Sequence, residues 1–168
     1  MSRRALVAAI GCALALLPAC STVKVTKTLD TGQTAGQISR NLASAFSIAP
    51  PPVACPKGVT VKVGQAFTCT TRIDGQPLDI RVTLDDAQGG FTPRVQEAVI
   101  ELDKVERELQ GSDAAATVHC DPAPSSLLVD RVGDSFTCTR RSTTATVAYR
   151  VTVKDLEGTV SFDEVAAP

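Results

Sequence analysis

The sequence predicts an α+β fold in two tandem modules, each one helix packed on an antiparallel meander of about four strands. Three observations predict it. Val63-Gly64-Gln65-Ala66-Phe67-Thr68-Cys69-Thr70 aligns with Val132-Gly133-Asp134-Ser135-Phe136-Thr137-Cys138-Thr139, at a constant offset of 69. Arg81-Val82-Thr83 falls on Arg150-Val151-Thr152 at the same offset. Each copy has an amphipathic helical pattern first and alternating apolar and polar residues after it, so one sheet face is wet and the other covered. A period of this length with matched landmarks reads as an internal duplication.

The elements follow in order. Arg3 and Arg4 precede an apolar run, Ala5 to Leu17, which falls short of the roughly 20 residues that cross a bilayer. Residues 1–19 therefore read as a signal peptide. Leu17-Pro18-Ala19-Cys20 resembles a bacterial lipobox, with Pro18 its one unusual occupant. The resemblance implies cleavage before Cys20 and lipidation (diacylglyceryl, palmitate) of its thiol, placing the chain outside the cytoplasm and anchored to the cell membrane. Cys12 leaves with the signal. Residues 20–33 are then a lipid-anchored linker, 34–92 the first module and 93–168 the second.

In the first module Thr34-Ala35-Gly36-Gln37 fits a capping box, and Ile38, Leu42, Ala45 and Phe46 make one apolar stripe that Pro50-Pro51-Pro52 ends. Val59, Val61 and Val63 alternate as a first strand, and Phe67 to Ile73 is a second. Asp74-Gly75 is a type I′ hairpin signal, after which Leu78, Ile80, Val82 and Leu84 line one face. Asp85 to Gly90 turns the chain into a closing strand at Phe91.

In the second module Thr92-Pro93 predicts a helix start. Ala98, Leu102, Val105 and Leu109 form the stripe, opposite a solvated face of Glu101, Lys104, Glu106 and Glu108, and Gly111 ends the helix. Val147, Tyr149, Val151 and Val153 line the later sheet. Asp155 to Gly158 turns into Val160-Phe162.

Four cysteines remain after Cys20, and an even number in an exported chain reads as disulfides. Pairing Cys55 with Cys69 and Cys120 with Cys138 is the one connectivity that treats both copies alike and lets each fold alone. Closing a 15-residue loop contributes roughly 3 kcal/mol on the chain-entropy model, which matters to modules too small to bury much surface. Neither spacing fits the C-x-x-C of redox or zinc sites. Gly64 and Gly133 read as turn glycines, with Phe67 and Phe136 as core plugs.

Cys55-Pro56, Val63-Gly64-x-x-Phe67-x-Cys69 and the Val-Thr-Leu-Asp-Asp stretch ending at Asp86 resemble a domain family of unknown function, the DUF 4333 type. That family occurs in actinobacterial lipoproteins and in extracellular parts of membrane proteins. The resemblance covers about residues 38–91, and 99–160 more weakly; it implies a fold and a location and no chemistry. Tandem helix-plus-sheet repeats with one disulfide each are also similar in architecture to β-lactamase inhibitory proteins.

Removing residues 1–19 leaves 15 basic residues (17 − 2) against 18 acidic ones. No long run of one sign appears, which argues against nucleic acid and against a polybasic lipid-binding tract. His119 is the only histidine and reads as a surface residue. Ser125, Ser126 and Ser135 lack a base at catalytic spacing. Asp85-Asp86 sits in a turn that favours Asp. No catalytic, cofactor-binding or metal residue is expected. The expectation is a non-enzymatic envelope module that binds a protein, glycan or lipid through its open sheet faces or the groove between repeats. A second reading is an inhibitor of an extracellular enzyme, wedging with Asp74-Gly75 and Ser142-Thr143-Thr144. A third, an envelope hydrolase, needs acids clustered in a cleft.

Overall fold

The computed structural model describes residues 26–121 and 126–165. The leader and Cys20 lie outside the described residues. The fold is mixed, with helices α1 (Thr31–Phe46) and α2 (Leu102–Gln110) and strands that pair only antiparallel. β1 (Ala66–Ile73), β2 (Gln76–Leu84) and β3 (Phe91–Val95) form one sheet in chain order. β4 (Ala98–Glu101) pairs with β6 (Leu127–Asp130) as a two-stranded ribbon. β5 (Thr117–Asp121), β7 (Ser135–Arg141), β8 (Thr146–Val153) and β9 (Val160–Val165) form a four-stranded sheet. Among the described residues no helix is long and apolar enough to cross a membrane.

The two meanders share one register at the offset seen in the sequence. Phe67 lies opposite Val82 and Phe136 opposite Val151; Leu84 faces Phe91 and Val153 faces Val160. Their turns repeat bond for bond. The Gly64 and Gly133 N–H groups donate to Leu84 O and Val153 O at 2.8 and 2.9 Å. Gln65 and Asp134 close their turns onto Lys62 O and Arg131 O, both at 3.0 Å. Gly64 (φ 79°) and Gly133 (φ 96°) take the left-handed backbone that these turns require. At the first hairpin Asp74 (φ 47°) and Gly75 (φ 81°) are both positive, as a type I′ turn needs.

Each half also ties a strand to its neighbour through a disulfide. Cys120 lies directly opposite Cys138 and is bonded to it; Cys55 is bonded to Cys69, beside the Ala54–Thr70 bridge.

Both helices begin elsewhere than expected. α1 starts one turn early, at Thr31, because Asp30 caps it: its carboxylate accepts the Gly32 and Gln33 N–H groups, both at 3.0 Å. Thr34, the expected cap, is buried inside the helix and donates its hydroxyl to Asp30 O. Ile38 and Leu42 are buried as expected, Phe46 is half-buried and Ala45 is exposed. The helix stops at Ser47 in the left-handed conformation, ahead of the prolines.

The second helix does not start at Thr92-Pro93. Those residues lie in β3, opposite Thr83 and Val82, and an edge strand tolerates a proline. β3 thus runs through the position where the sequence divides the halves. Ala98 is buried in β4, and α2 opens nine positions past Pro93, at Leu102, whose N–H donates to Ser126 O. Gly111 ends it. On the charged face, Glu106 turns in and accepts the Cys120 N–H at 3.2 Å.

The expected strand at Val59–Val63 is reduced to a bridge, Thr28 opposite Thr60, flanked by Leu29 N–H to Val59 O and Val61 N–H to Lys27 O, both 2.8 Å. Residues 27–30, expected in the linker, therefore belong to the folded body. The 27–29/59–61 pairing stands to α1 as the β4–β6 ribbon stands to α2.

The ribbon joins the halves. Ala98, Ile100 and Leu128 point into a core with Val105, Phe136, Val151 and Val153. Val99 and Leu127, alternating with them, point into the other core with Ile38, Leu42, Ile73, Leu78 and Val82. Val129 packs on that second cluster. Gln76, at the β1–β2 hairpin, completes the join. Its Nε2 donates to Leu127 O at 3.1 Å and its Oε1 accepts the Val129 N–H at 3.0 Å, as a neighbouring strand would. The groove expected between repeats is filled by this ribbon.

Candidate functional site

The residues singled out from sequence do not converge. His119 is exposed on β5, its Nε2 4.0 Å from Asp121 Oδ1. Ser135 is exposed at the start of β7, Ser126 lies before β6, and Ser125 is outside the described residues. Asp85 accepts the Thr92 hydroxyl, and Asp86 accepts the Gln88 and Gly90 N–H groups at 2.8 and 2.7 Å. These are turn-forming bonds. The Gly90 N–H holds the Asp86 carboxyl below the usual carboxylate range, and the Thr159 N–H does the same for Asp155 at the matching turn. Asp74 is occupied at the join, where its Oδ2 accepts the Leu127 N–H. The hairpin tip it shares with Gly75 is exposed to solvent yet tied through this bond to the start of β6. Ser142-Thr143-Thr144, by contrast, caps an open hairpin tip that the Ser142 hydroxyl braces onto Ala145. Among the described residues no three His, Cys, Asp or Glu side chains gather as a metal would require.

What the fold does build is a groove of about 600 Å³ at the N-terminal end of α1. One wall is the first turns of the helix, with Gln33, Thr34 and Gln37 at i, i+1 and i+4 on one face. The opposite wall is the Gln88-Gly89-Gly90 turn, and Leu29, Val61 and Phe91 make the apolar floor. Lys27 Nζ donates to Gln88 O at 2.6 Å and so ties the turn to the entering chain. Gly89 (φ 99°) lets that turn close: a Cβ there would stand 3.1 Å from Leu29 Cδ1.

The two charges at this groove are of opposite sign, and each is held by backbone groups. Asp30 caps the helix and Lys27 holds the turn. The carboxamides of Gln33, Gln37 and Gln88 make no hydrogen bond to any described residue, so three neutral donor–acceptor groups face the groove over an apolar floor. This is the pattern of a site for a neutral, hydroxyl- or amide-bearing ligand.

The other half carries the same groove at about 270 Å³. Glu101 stands where Asp30 does, Lys104 for Gln33, Glu108 for Gln37, Glu157 for Gln88 and Gly158 for Gly89. Lys104 is spent on Glu101, leaving Glu108 and Glu157 to give the lining a negative sign. The geometry is repeated while the chemistry is not. Sequence reasoning missed both grooves, although the Gln88–Phe91 and Glu157–Val160 alignment at the common offset was available to it.

Residues 8–89 match the model of a family described as "Domain of unknown function (DUF4333)". The matched stretch begins inside the apolar run Ala5 to Leu17 and ends at the turn that walls the larger groove. No curated protein and no solved structure matches the chain.

Proposed function

We propose, starting from a first half of the DUF4333 type, that the chain is a lipid-anchored, non-enzymatic binding module of the cell envelope. It is built as a tandem duplication, and the groove beside α1 is its ligand site. The observation that carries the reading is the groove itself: three carboxamides with no hydrogen bond to any described residue stand over an apolar floor, and its two charges, Lys27 and Asp30, are of opposite sign and held by backbone groups. Carboxamides pair equally with hydroxyls and with peptide groups, and a neutral lining excludes neither. The ligand class is a neutral envelope glycan. Its hydroxyls meet Gln33, Gln37 and Gln88 while a sugar face lies on Phe91.

The identical register and turn bonds of the two meanders support duplication. Two disulfides support export, and a family match that begins at residue 8 treats leader and module as one stretch. With Cys20 as anchor, only the span to Thr26 separates lipid from folded body. At about 3.5 Å per residue the groove, which opens at Lys27, stays close to the bilayer surface.

The test is a titration of ¹⁵N-labelled residues 20–168 with fragments of envelope glycans. The Gln33, Gln37 and Gln88 side-chain amides should shift together, and Gln33→Ala with Gln37→Ala should weaken binding roughly tenfold. Titration that leaves those amides still, or an affinity unchanged by the pair of substitutions, overturns the site. Intact mass of membrane-extracted protein tests the anchor separately. A second reading, inhibition of an extracellular enzyme, draws on the braced, open Ser142–Ala145 tip; inhibition of a secreted hydrolase that disappears in Thr143→Gly would favour it.

A further inference from the structure

The wet face of the first sheet brings together two cations that the sequence keeps thirteen positions apart. Arg81 on β2 lies directly opposite Thr68 on β1 and directly opposite Arg94 on β3, so one row across the sheet reads Thr68, Arg81, Arg94. Side chains opposite one another on one face stand about 5 Å apart at Cβ, and like charges so placed are destabilising. Among the described residues neither guanidinium has an ion-pair or hydrogen-bond partner. The acids of this neighbourhood are engaged or offset. Asp79 sits two residues back along β2, Glu97 accepts the Asp79 N–H, and Asp85 accepts the Thr92 hydroxyl. Arg72, farther along the face, donates to Gly75 O.

The matching row of the other half is built differently. Asp121, Thr137, Arg150 and Asp163 lie across it in order, so Arg150 faces an acid where Arg81 faces Arg94. The same scaffold position thus sets an arginine opposite an acid in one half and opposite a second arginine in the other.

We propose that the Thr68–Arg81–Arg94 row is a binding site for the phosphate group of an envelope molecule, distinct from the α1 groove. A carboxylate is filled by one guanidinium fork, whereas a tetrahedral phosphate has oxygens enough for two forks and a hydroxyl at once. Binding removes the repulsion between the two arginines, so the cost held in the free face is released when the anion arrives.

The experiment uses residues 20–168 and follows thermal midpoint and the Arg Nε–H resonances in inorganic phosphate against chloride at equal ionic strength. Phosphate should raise the midpoint and shift Arg81 and Arg94 while leaving Arg150 in place. Arg94→Asp, which copies the other half's row, should fold with a midpoint at or above that of the parent and bind phosphate roughly tenfold more weakly. A phosphate effect no larger than chloride's, or one that survives Arg94→Asp, overturns the site. So does competition by polyglutamate at equal carboxylate concentration, which would point to an acidic protein instead. Vesicles containing phosphatidylglycerol form the second arm. Binding to them that Arg94→Asp abolishes assigns the phosphate to a lipid headgroup; phosphate binding without vesicle binding assigns it to a soluble or polymeric source.

Discussion

The two halves keep the same strand register and turn bonds, yet bury different parts of themselves. In the first, the hairpin tip carries Ile73 and Leu78, both fully buried, because the other half's ribbon covers them with Val99 and Leu127. The corresponding tip of the second half is Ser142 to Thr146, polar and largely exposed. At the opposite end the relation reverses. The outer face of the second ribbon is apolar, while its counterpart in the first half is Thr28 and Thr60, both exposed. Among the described residues, the apolar tip of one half and the apolar ribbon of the other meet each other, while their counterparts at the two free ends carry hydroxyl side chains. Helix length sets a second contrast. α1 has 16 residues and α2 has 9, about 24 against 14 Å of cover at 1.5 Å per residue. Ile80 is sealed, whereas Tyr149 at the matching position stays half-buried and its hydroxyl reaches Glu164.

That contrast can be broken at its strongest point by replacing Cys120 and Cys138 with alanine. Loss of such a bond costs roughly 2–5 kcal/mol. The half with the shorter helix should lose amide protection first, in hydrogen exchange, than the other half does after the same change at Cys55 and Cys69. Leu127→Ala probes the join. A cost of about 3 kcal/mol is expected, and because Leu127 packs on Ile38 and Leu78, it should appear in amides of the first half although the substitution lies in the second. Exchange confined to β6 and its own sheet would contradict the shared core.

The matched glycines sharpen the comparison further. A Cβ at Gly158 would stand 2.8 Å from the Val99 carbonyl oxygen, a backbone atom, whereas at Gly89 it would meet side-chain ends, Leu29 Cδ1 at 3.1 Å and Val61 Cγ2 at 4.0 Å. Both have positive φ, which costs about 1–2 kcal/mol for alanine. Chemical denaturation should find Gly158→Ala the more costly of the two, since backbone cannot yield as a side chain can.

Acid titration gives the smallest difference. Asp86 and Asp155, both lowered by turn N–H groups, contribute stability that is present above the unfolded carboxylate pKa and is lost as pH falls through the folded one. Asp130 has the opposite sign. Burial, with help from Asp134 alongside, raises its pKa, so the folded state holds a proton that the unfolded one has shed. Stability from this group falls as pH rises through that window. Asp130→Asn should therefore raise the midpoint slightly at neutral pH and change nothing in strong acid, in melts across pH 3 to 7.

The legible parts of the fold were those fixed by local chemistry. Asp74-Gly75 announced its turn because two positive φ values suit few other pairs, and Leu78 to Leu84 announced their face because a strand alternates. Thr34-Ala35-Gly36-Gln37 misled because Asp30, one turn earlier, caps the helix at the Gly32 and Gln33 N–H groups and leaves Thr34 inside it. Thr92-Pro93 misled because pairing with β2 claimed those residues for an edge strand. The candidate sites were illegible for a different reason. Gln33 and Gln88 are 55 positions apart and meet only where α1 packs beside the 88–90 turn; Arg81 and Arg94 are thirteen apart and meet only through strand register.

By itself the sequence determined the segments that match at a common offset, the first hairpin turn, the inward face of β2 and the cysteine pairing inside each half. Each depends on residues near in the chain or on the comparison of one half with the other. The tertiary structure alone decided that the ribbon β4–β6 is buried on both faces, that the grooves differ in charge, and that two arginines stand side by side. Those outcomes depend on which surfaces meet, and strand alternation says only that a face is covered, never by what.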